Sequence, residues 1–324
     1  MHKSSKPKLT SEQLVSKLKN DKGVTFKYIT EKEAEIFLRD KNNYMRTAAY
    51  RKNYLKYDEG IHKGKYIDLD FAYLQELSII DMHLRHIIIK MCLDIEHALK
   101  VKLVKDAEDS TLINGYDIVS QFLDENPRVI NKLEGTSSSP FTKDLLFKYF
   151  IIKKVNNMPN KINNKIVGYD CPIWVLLELL SFGDFIRFYE FYYNQTGQEH
   201  IPLTLINLTK SLRNGCTHNN CILADLTKGS SHKPAIVTRE IAKILEITKN
   251  QRTKKLSSRV VLEIVSMLLL YKQTVSEKVK YYRIIELKEF FDGRMIEKKG
   301  FFERNLLLVS TYDFLRTVIY AFYP

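Results

Sequence analysis

The stretch that decides the fold is DFAYLQELSIIDMHLRHIIIKMCLDIEHALKVKLVKDAED, residues 70–109, which contains neither glycine nor proline. Its apolar residues recur at spacings of three and four, the period of one helix face. They are Leu74, Leu77, Ile80, Leu84, Ile87, Ile88, Met91, Ile95, Ala98, Leu99 and Leu103. The pattern predicts one long helix, on the order of 50 Å at 1.5 Å per residue. Polar residues along it, including Arg85 and Glu96, are interpreted by default as surface or interhelical pairs.

Helix signals continue on both sides of this stretch. Thr30 followed by Glu33 is a capping-box pattern, and Pro172 stands at the start of a further apolar helix. No strand-like alternation persists over a long window, so the fold is predicted to be mainly α. We predict a helical core at 66–230, an N-terminal helical region at 1–65 and a C-terminal helical region at 231–324. Turn-forming residues mark a variable basic excursion at about 114–169.

The composition favours a protein that works inside the cell. At 324 residues with 44% hydrophobic side chains, the chain has enough apolar material for a sizeable core. The first residues are basic and polar, unlike a signal peptide, and the longest apolar runs are too short to cross a bilayer. Four cysteines without framework spacing fit a reducing compartment. We therefore expect a cytoplasmic protein with no membrane partner.

The chain carries a net charge of +13, which is compatible with binding a polyanion such as RNA. An AT-biased genome, rich in Lys and Asn codons, produces the same excess without selection for binding, so both interpretations stay open. Local clustering is more specific, because residues 249–259 (KNQRTKKLSSR) contain no acid. The candidate RNA contacts are Lys249, Arg252, Lys254, Lys255 and Arg259.

The sequence SLRNGCTHNN, residues 211–220, holds the candidate site. Cys216, His218 and Cys221 lie close together, but a closed zinc site needs four ligands with paired spacing. A nucleophilic cysteine is also disfavoured, because Cys216 and His218 point about 200° apart on a helix. We expect neither a metal nor another cofactor.

Phosphoryl chemistry on RNA fits these residues better. RNA carries its own nucleophile, the 2′-hydroxyl, so cleavage needs a group that moves a proton and a cation on the phosphate. His218 can supply the first and Arg213 the second, while Asn214 can orient the imidazole or contact the phosphate. On an ideal helix Arg213 and His218 diverge by about 140°. They can reach one phosphate if the long Arg213 side chain wraps round the helix or if the helix end is irregular, which Gly215 makes easier. A second copy across a dimer axis would also help.

Arg213, Asn214 and His218 match the R-polar-x-x-x-H signature of HEPN-domain ribonucleases. The wider chain resembles the Abi-like abortive infection family of the AbiD/AbiF type. That resemblance is spread over blocks at 9–26, 35–54, 84–103, 172–189 and 212–220. It implies an HEPN-like helical bundle and a role in phage defence through RNA cleavage or RNA binding. Because HEPN enzymes build one site from two domains and this chain has one motif, it also implies a homodimer.

Residue by residue, the resemblance implies that Arg213 binds the scissile phosphate, Asn214 is the polar second position and His218 is the catalytic imidazole. Glu96 matches a recurrent acid of the family and is interpreted as structural support. The relatives of AbiF type imply a structured small noncoding RNA as partner. One departure is Asn219, which stands where many members have a second histidine.

Two hypotheses follow from these observations. The first is a metal-independent antiphage endoribonuclease that acts as a homodimer and leaves a 2′,3′-cyclic phosphate. The alternative is a non-catalytic RNA-binding protein that holds a structured noncoding RNA as guide or regulator. A helical scaffold with a structural Arg–His pair is the third and least specific interpretation.

Overall fold

Helices make up 68% of the computed structural model, which confirms the mainly α prediction. The structure describes residues 7–111, 113–135, 139–158, 161–229 and 233–324, and side chains outside 155–164. The described residues therefore exclude 136–138 and 159–160 of the predicted excursion. They also exclude 1–6, the start of the predicted N-terminal region. In the described ranges the α-helices are α1 (Ser11–Asn20), α2 (Glu31–Ile36), α3 (Tyr44–Ala49), α4 (Phe71–Glu108), α5 (Asp117–Glu125), α6 (Pro127–Gly135), α7 (Pro140–Tyr149), α8 (Ile173–Leu179), α9 (Phe182–Thr196), α10 (Leu203–Thr217), α11 (Ala235–Ala242), α12 (Lys249–Lys255), α13 (Arg259–Thr274), α14 (Glu277–Glu289) and α15 (Leu306–Phe322).

The long helix predicted from the glycine-free stretch is α4, with 38 residues. At 1.5 Å per residue it is about 57 Å long. The predicted capping box before α2 is present: the Thr30 hydroxyl accepts from the Glu33 amide at 3.1 Å, and the Glu33 carboxylate accepts from the Thr30 amide at 2.7 Å. Local capping chemistry therefore sets the start of this helix, as the sequence indicates.

A β-hairpin interrupts the helical pattern within the predicted excursion. Strand β1 (Phe150–Met158) pairs antiparallel with β2 (Lys161–Tyr169), with Phe150 opposite Tyr169. The sequence analysis did not predict strands here. These strands are rich in Lys and Asn, and the register shifts twice along the ladder, so no clean alternation of apolar and polar residues is available to reveal them.

The chain divides into two compact units, each made of residues that contact one another in space. The first unit comprises residues 1–94 and 211–324. Its core centres on α13, which is buried from Val260 to Tyr271 and packs against α15. The Tyr271 hydroxyl donates to Asp94 at 3.0 Å, and Arg283 on α14 pairs with the same carboxylate at 3.2 Å. The first and last thirds of the sequence thus share one core.

The second unit comprises residues 95–210. Aromatic side chains of α5 and α9 form much of its interior; Phe122 lies 5.0 Å from Phe188 in an edge-to-face arrangement. The buried Asp184 accepts from Lys132 and Arg187 at 2.7 and 2.8 Å. These two cations and the Ser181 hydroxyl outweigh desolvation and lower the pKa of Asp184. The charge at the start of α9 is therefore well compensated.

Over the described ranges, no helix combines the length and the apolar character that crossing a membrane requires.

Candidate functional site

The motif residues lie at the C-terminal end of α10, in the first unit. Arg213 and Asn214 stand in the last two turns of the helix, which ends at Thr217. His218 follows at once, and its amide still donates to the carbonyl of Asn214 at 3.0 Å. Its side chain is exposed, whereas Arg213 and Asn214 are half-buried. The structure therefore presents the imidazole to solvent at a helix terminus.

The backbone after His218 closes the helix in a Schellman turn. The Asn219 amide donates to the Cys216 carbonyl at 3.0 Å, and the Asn220 amide donates to the Gly215 carbonyl at 2.8 Å. Asn219 has a φ of 57°, in the left-handed region that asparagine tolerates better than most residues. The irregular residue therefore follows His218, whereas the segment from Arg213 to Thr217 is regular helix, so this turn does not bring Arg213 and His218 together.

Two arginines from other helices hold the left-handed residue. Arg46 on α3 donates from Nη1 to the main-chain carbonyl of Asn219 and from Nη2 to its Oδ1 atom at 3.3 Å. Arg85 on α4 donates from Nη1 to the same Oδ1 atom. We call these three residues the Asn219 clamp. The two arginines hold the residue that follows His218 through hydrogen bonds to the main-chain carbonyl and to the side chain of Asn219.

The clamp rests on a buried ion pair. Arg85 is 4% exposed, and its Nε lies 2.9 Å from Oδ2 of Asp81, which is fully buried. The Oδ1 atom of Asp81 accepts from the Leu223 amide at 2.7 Å. Burial raises the pKa of Asp81, opposed by the Leu223 amide and by the charge of Arg85. A pair of this kind is placed rigidly, because losing either partner leaves a buried charge uncompensated.

The motif helix is also anchored one turn before Asn214. The Ser211 hydroxyl donates to Oε1 of Glu263 at 2.7 Å and accepts from Arg259 at 3.1 Å. Arg259 and Glu263, both on α13, form an ion pair at 3.0 Å. Because α13 is the buried centre of the first unit, these bonds attach the motif segment of α10 to that core.

Arg213 and Asn214 contact each other directly. The Nη1 atom of Arg213 donates to Oδ1 of Asn214 at 3.4 Å, and the Thr217 hydroxyl donates to the Arg213 carbonyl at 3.0 Å. The helix end therefore carries an exposed imidazole and the half-buried guanidinium group of Arg213, while Arg46 and Arg85 bond to Asn219. Guanidinium groups suit phosphate because their donors match its oxygens in pairs, and an imidazole can exchange protons near neutral pH.

The environment of Cys216 disfavours a nucleophilic role for its thiol. Cys216 is buried, and desolvation together with the charge of Asp81 raises the pKa of its thiol to about 12, the opposite of what a nucleophilic thiolate needs. Across the described ranges, no group of three or more His, Cys, Asp or Glu side chains is arranged to hold a metal ion.

The predicted basic segment lies on α12 and at the start of α13. Lys249, Lys254 and Arg259 are exposed, and Arg252 is half-buried. Lys255 differs: it is 7% exposed and donates to the Ser310 and Thr311 hydroxyls at 2.6 and 2.9 Å. Burial lowers the pKa of its ammonium to about 8. Its side chain bonds inward to α15, so we leave it out of the proposed RNA-binding surface.

Glu96 lies on α4, half-buried, with Lys100 one turn later at 3.5 Å. It belongs to the part of α4 assigned to the second unit. Its predicted role in supporting the motif helix stays a prediction.

These features define a mainly helical protein whose candidate site is an exposed histidine at the end of the helix that carries Arg213 and Asn214. The sequence profile of the Abi-like protein family matches residues 37–224, more than half of the chain. The chain belongs to the Abi-like protein family, and this membership indicates a role in abortive infection. The comparison with curated proteins and the comparison with solved structures each gave no match.

Sequence reasoning missed the clamp around the motif. The nearest signal was Asp81 and Arg85, opposite charges four residues apart among the apolar positions of α4, a spacing that favours pairing on one helix face. Arg46 gave no such signal, because it lies 173 positions before its partner Asn219. The family match includes all four residues of this network.

Proposed function

We propose that this Abi-like protein is a metal-independent endoribonuclease that acts as a homodimer in abortive infection. The observation that carries the proposal is the exposed His218 imidazole on an anchored helix end, with Arg213 and Asn214 one to two turns before it. This arrangement leaves the imidazole accessible to a large substrate and provides a guanidinium group on the same helix. Both are needed to act on a phosphodiester in solution.

The proposed reaction uses the 2′-hydroxyl of the RNA. Its oxygen attacks the adjacent phosphorus, its proton passes to a base, and the bond to the 5′-oxygen breaks as that oxygen takes up a proton. The products are a 2′,3′-cyclic phosphate and a 5′-hydroxyl end. His218 is the proposed group that moves a proton, and Arg213 the cation that stabilises the negative charge on the phosphate oxygens.

A homodimer follows from the number of motifs. Each chain supplies one Arg213 and one His218, whose directions on α10 diverge, and HEPN enzymes combine two such sets around one phosphate. Two copies of α10 that face each other would bring four groups to one RNA linkage. His218 is exposed at the helix end, so a second copy of α10 could approach its side chain.

RNA binding is supported by the exposed cations of the basic segment. Lys249 and Lys254 project from α12, whose capping box at Thr248 and Gln251 fixes its first turn. Arg259 contacts Ser211, two residues before Arg213, so the segment adjoins the motif helix. We propose that this surface guides RNA, including a structured noncoding RNA, towards His218. The same surface favours the alternative of a non-catalytic RNA-binding protein, because it does not depend on the imidazole.

The proposed function predicts metal-independent cleavage of RNA. Purified protein in EDTA should cut single-stranded RNA and total RNA from phage-infected cells, but leave DNA of the same sequence intact, because DNA lacks the 2′-hydroxyl. Gel electrophoresis with end-group analysis should find 2′,3′-cyclic phosphate and 5′-hydroxyl ends. Bound RNA without any new ends would support the non-catalytic alternative instead. Cleavage that requires Mg²⁺, or that leaves 3′-hydroxyl ends, would contradict the proposed chemistry.

The proposed RNA surface predicts a change in salt dependence. The double variant Lys249→Gln/Lys254→Gln should bind RNA more weakly at low salt, because two phosphate contacts are lost. The slope of log affinity against log salt should fall by about 1.4, given about 0.7 per contact on single strands. Titration by fluorescence anisotropy at several salt concentrations measures it. The matched control is Lys278→Gln/Lys299→Gln, which removes the same charge at two other exposed lysines. Equal slopes for both variants would exclude α12 as the binding surface.

A further inference from the structure

The Asn219 clamp has no counterpart in the site predicted from the sequence. It acts on the residue next to the proposed catalytic imidazole, and all its members lie in the first unit. We propose that Asn219 is a positioning residue, which holds His218 in place through its bonds to Arg46 and Arg85. This inference rests on the proposed nuclease function and identifies what keeps its imidazole in register with the phosphate.

The first step concerns the freedom of a helix end. Helix termini fray, and His218 lies just beyond the last helical residue with its side chain in solvent. A histidine on a moving backbone samples many positions relative to a bound phosphate. The Schellman turn alone offers two main-chain hydrogen bonds against this motion, and the clamp adds three bonds from two other helices.

The second step concerns the choice of residue. The position needs a side chain that tolerates a φ of 57° and also accepts hydrogen bonds from two guanidinium groups. Glycine meets the first requirement only, and alanine meets neither. Asparagine and aspartate meet both, since their short polar side chains stabilise the left-handed conformation locally. Asn219 is thus specified by backbone geometry together with the two arginines.

The third step concerns the electrostatics. The main-chain and side-chain oxygens of Asn219, the residue beside His218, accept hydrogen bonds from the guanidinium groups of Arg46 and Arg85. Arg85 is further fixed by the buried Asp81. Two cations are therefore held at the residue next to His218, by one hydrogen bond to the main chain of Asn219 and two to its side chain. Catalysis is sensitive to such placement, because a displacement of about 1 Å can lower the rate by about 10²-fold.

The test uses a pair of variants in the full-length protein. Asn219→Gly keeps the left-handed turn without strain and keeps the main-chain carbonyl that accepts from Arg46, but it removes the side-chain Oδ1 atom that accepts from both arginines. We expect kcat for RNA cleavage to fall about 10- to 100-fold, KM to stay within about twofold, and the protein to remain folded by circular dichroism. Asn219→Asp keeps the shape and the acceptor. At its own optimal pH it should cleave within about threefold of the wild type.

The outcomes separate this inference from the proposed function. His218→Ala, assayed in parallel, reports on the nuclease itself. If the wild type cleaves RNA, His218→Ala does not, and Asn219→Gly keeps the wild-type kcat, the positioning role is overturned while the nuclease stands. A rise in KM at unchanged kcat would overturn it as well, because it would indicate RNA binding rather than placement. If the wild type and all variants are equally inactive on RNA, the proposed function fails and the positioning role fails with it.

Discussion

If the proposed function holds, replacing His218 with alanine should lower the rate constant of RNA cleavage by about 10³-fold, a typical loss for a general acid or base. The melting temperature changes little, because the side chain is exposed. The hydrogen bond from the His218 amide to the Asn214 carbonyl joins main-chain atoms, so the variant keeps it. Single-turnover cleavage of labelled RNA in EDTA measures the rate, and thermal denaturation followed by circular dichroism measures the stability.

The matched control for this variant is His86→Ala. His86 is also an exposed histidine of the first unit, on α4, and its loss should leave the rate within about twofold, as expected for a surface group outside the reaction. If His218→Ala cleaves RNA as fast as His86→Ala, the imidazole takes no part in the reaction. Other groups would then carry out the cleavage, and the proposed role of His218 would be wrong.

Replacing Arg85 with methionine lowers the free energy of unfolding by about 3–5 kcal/mol, the usual cost of breaking a buried ion pair from one side. The variant leaves the Asp81 carboxylate, which is 0% exposed, without its cation. It also removes the hydrogen bond from Arg85 to Oδ1 of Asn219, which is part of the Asn219 clamp. Urea unfolding followed by circular dichroism measures the loss; the single Trp174 lies in the second unit and would report on that unit.

The control for the ion pair is the double variant Asp81→Asn/Arg85→Met. An asparagine at 81 can still accept from the Leu223 amide but carries no charge, so the double variant should recover most of the stability lost by Arg85→Met alone. A double variant as unstable as the sum of the two single variants would indicate that the two side chains are not coupled.

The same pair predicts a pH dependence. Burial already raises the pKa of Asp81 above its ordinary value of 3.8, and without Arg85 the pKa should rise further. An acid whose pKa is higher in the folded than in the unfolded state stabilises the fold below the unfolded pKa and loses that contribution as pH rises. The deficit of Arg85→Met should therefore be largest at neutral pH and shrink as pH falls towards 4.

The elements that local chemistry controls could be predicted from the sequence. The helix α4 follows from apolar spacing and the absence of glycine and proline over residues 70–109. The start of α2 follows from Thr30 and Glu33, whose side chains satisfy the free amides of its first turn. These signals act between residues three or four positions apart, so a single sequence contains all the information they need.

The structure around the motif depends on contacts between distant residues, which a single sequence does not reveal. The motif SLRNGCTHNN identified Arg213 and His218, but its spacing did not show that α10 ends at Thr217 with Asn219 in the left-handed region. Lys255 is a second example, because its contacts also lie far away in the sequence. It belongs to a stretch without acidic residues in the sequence, yet the hydroxyls to which it donates lie 55 and 56 positions later.

The 173 positions that separate Arg46 from Asn219 have a consequence for synthesis. Ribosomes add about 5–20 residues per second, so the two halves of this contact emerge roughly 10–35 s apart. Until the later half is made, α3 and α4 exist without the turn that carries the histidine. A chain that stops before residue 219 therefore lacks the Asn219 clamp, which can form only after the ribosome has passed this position.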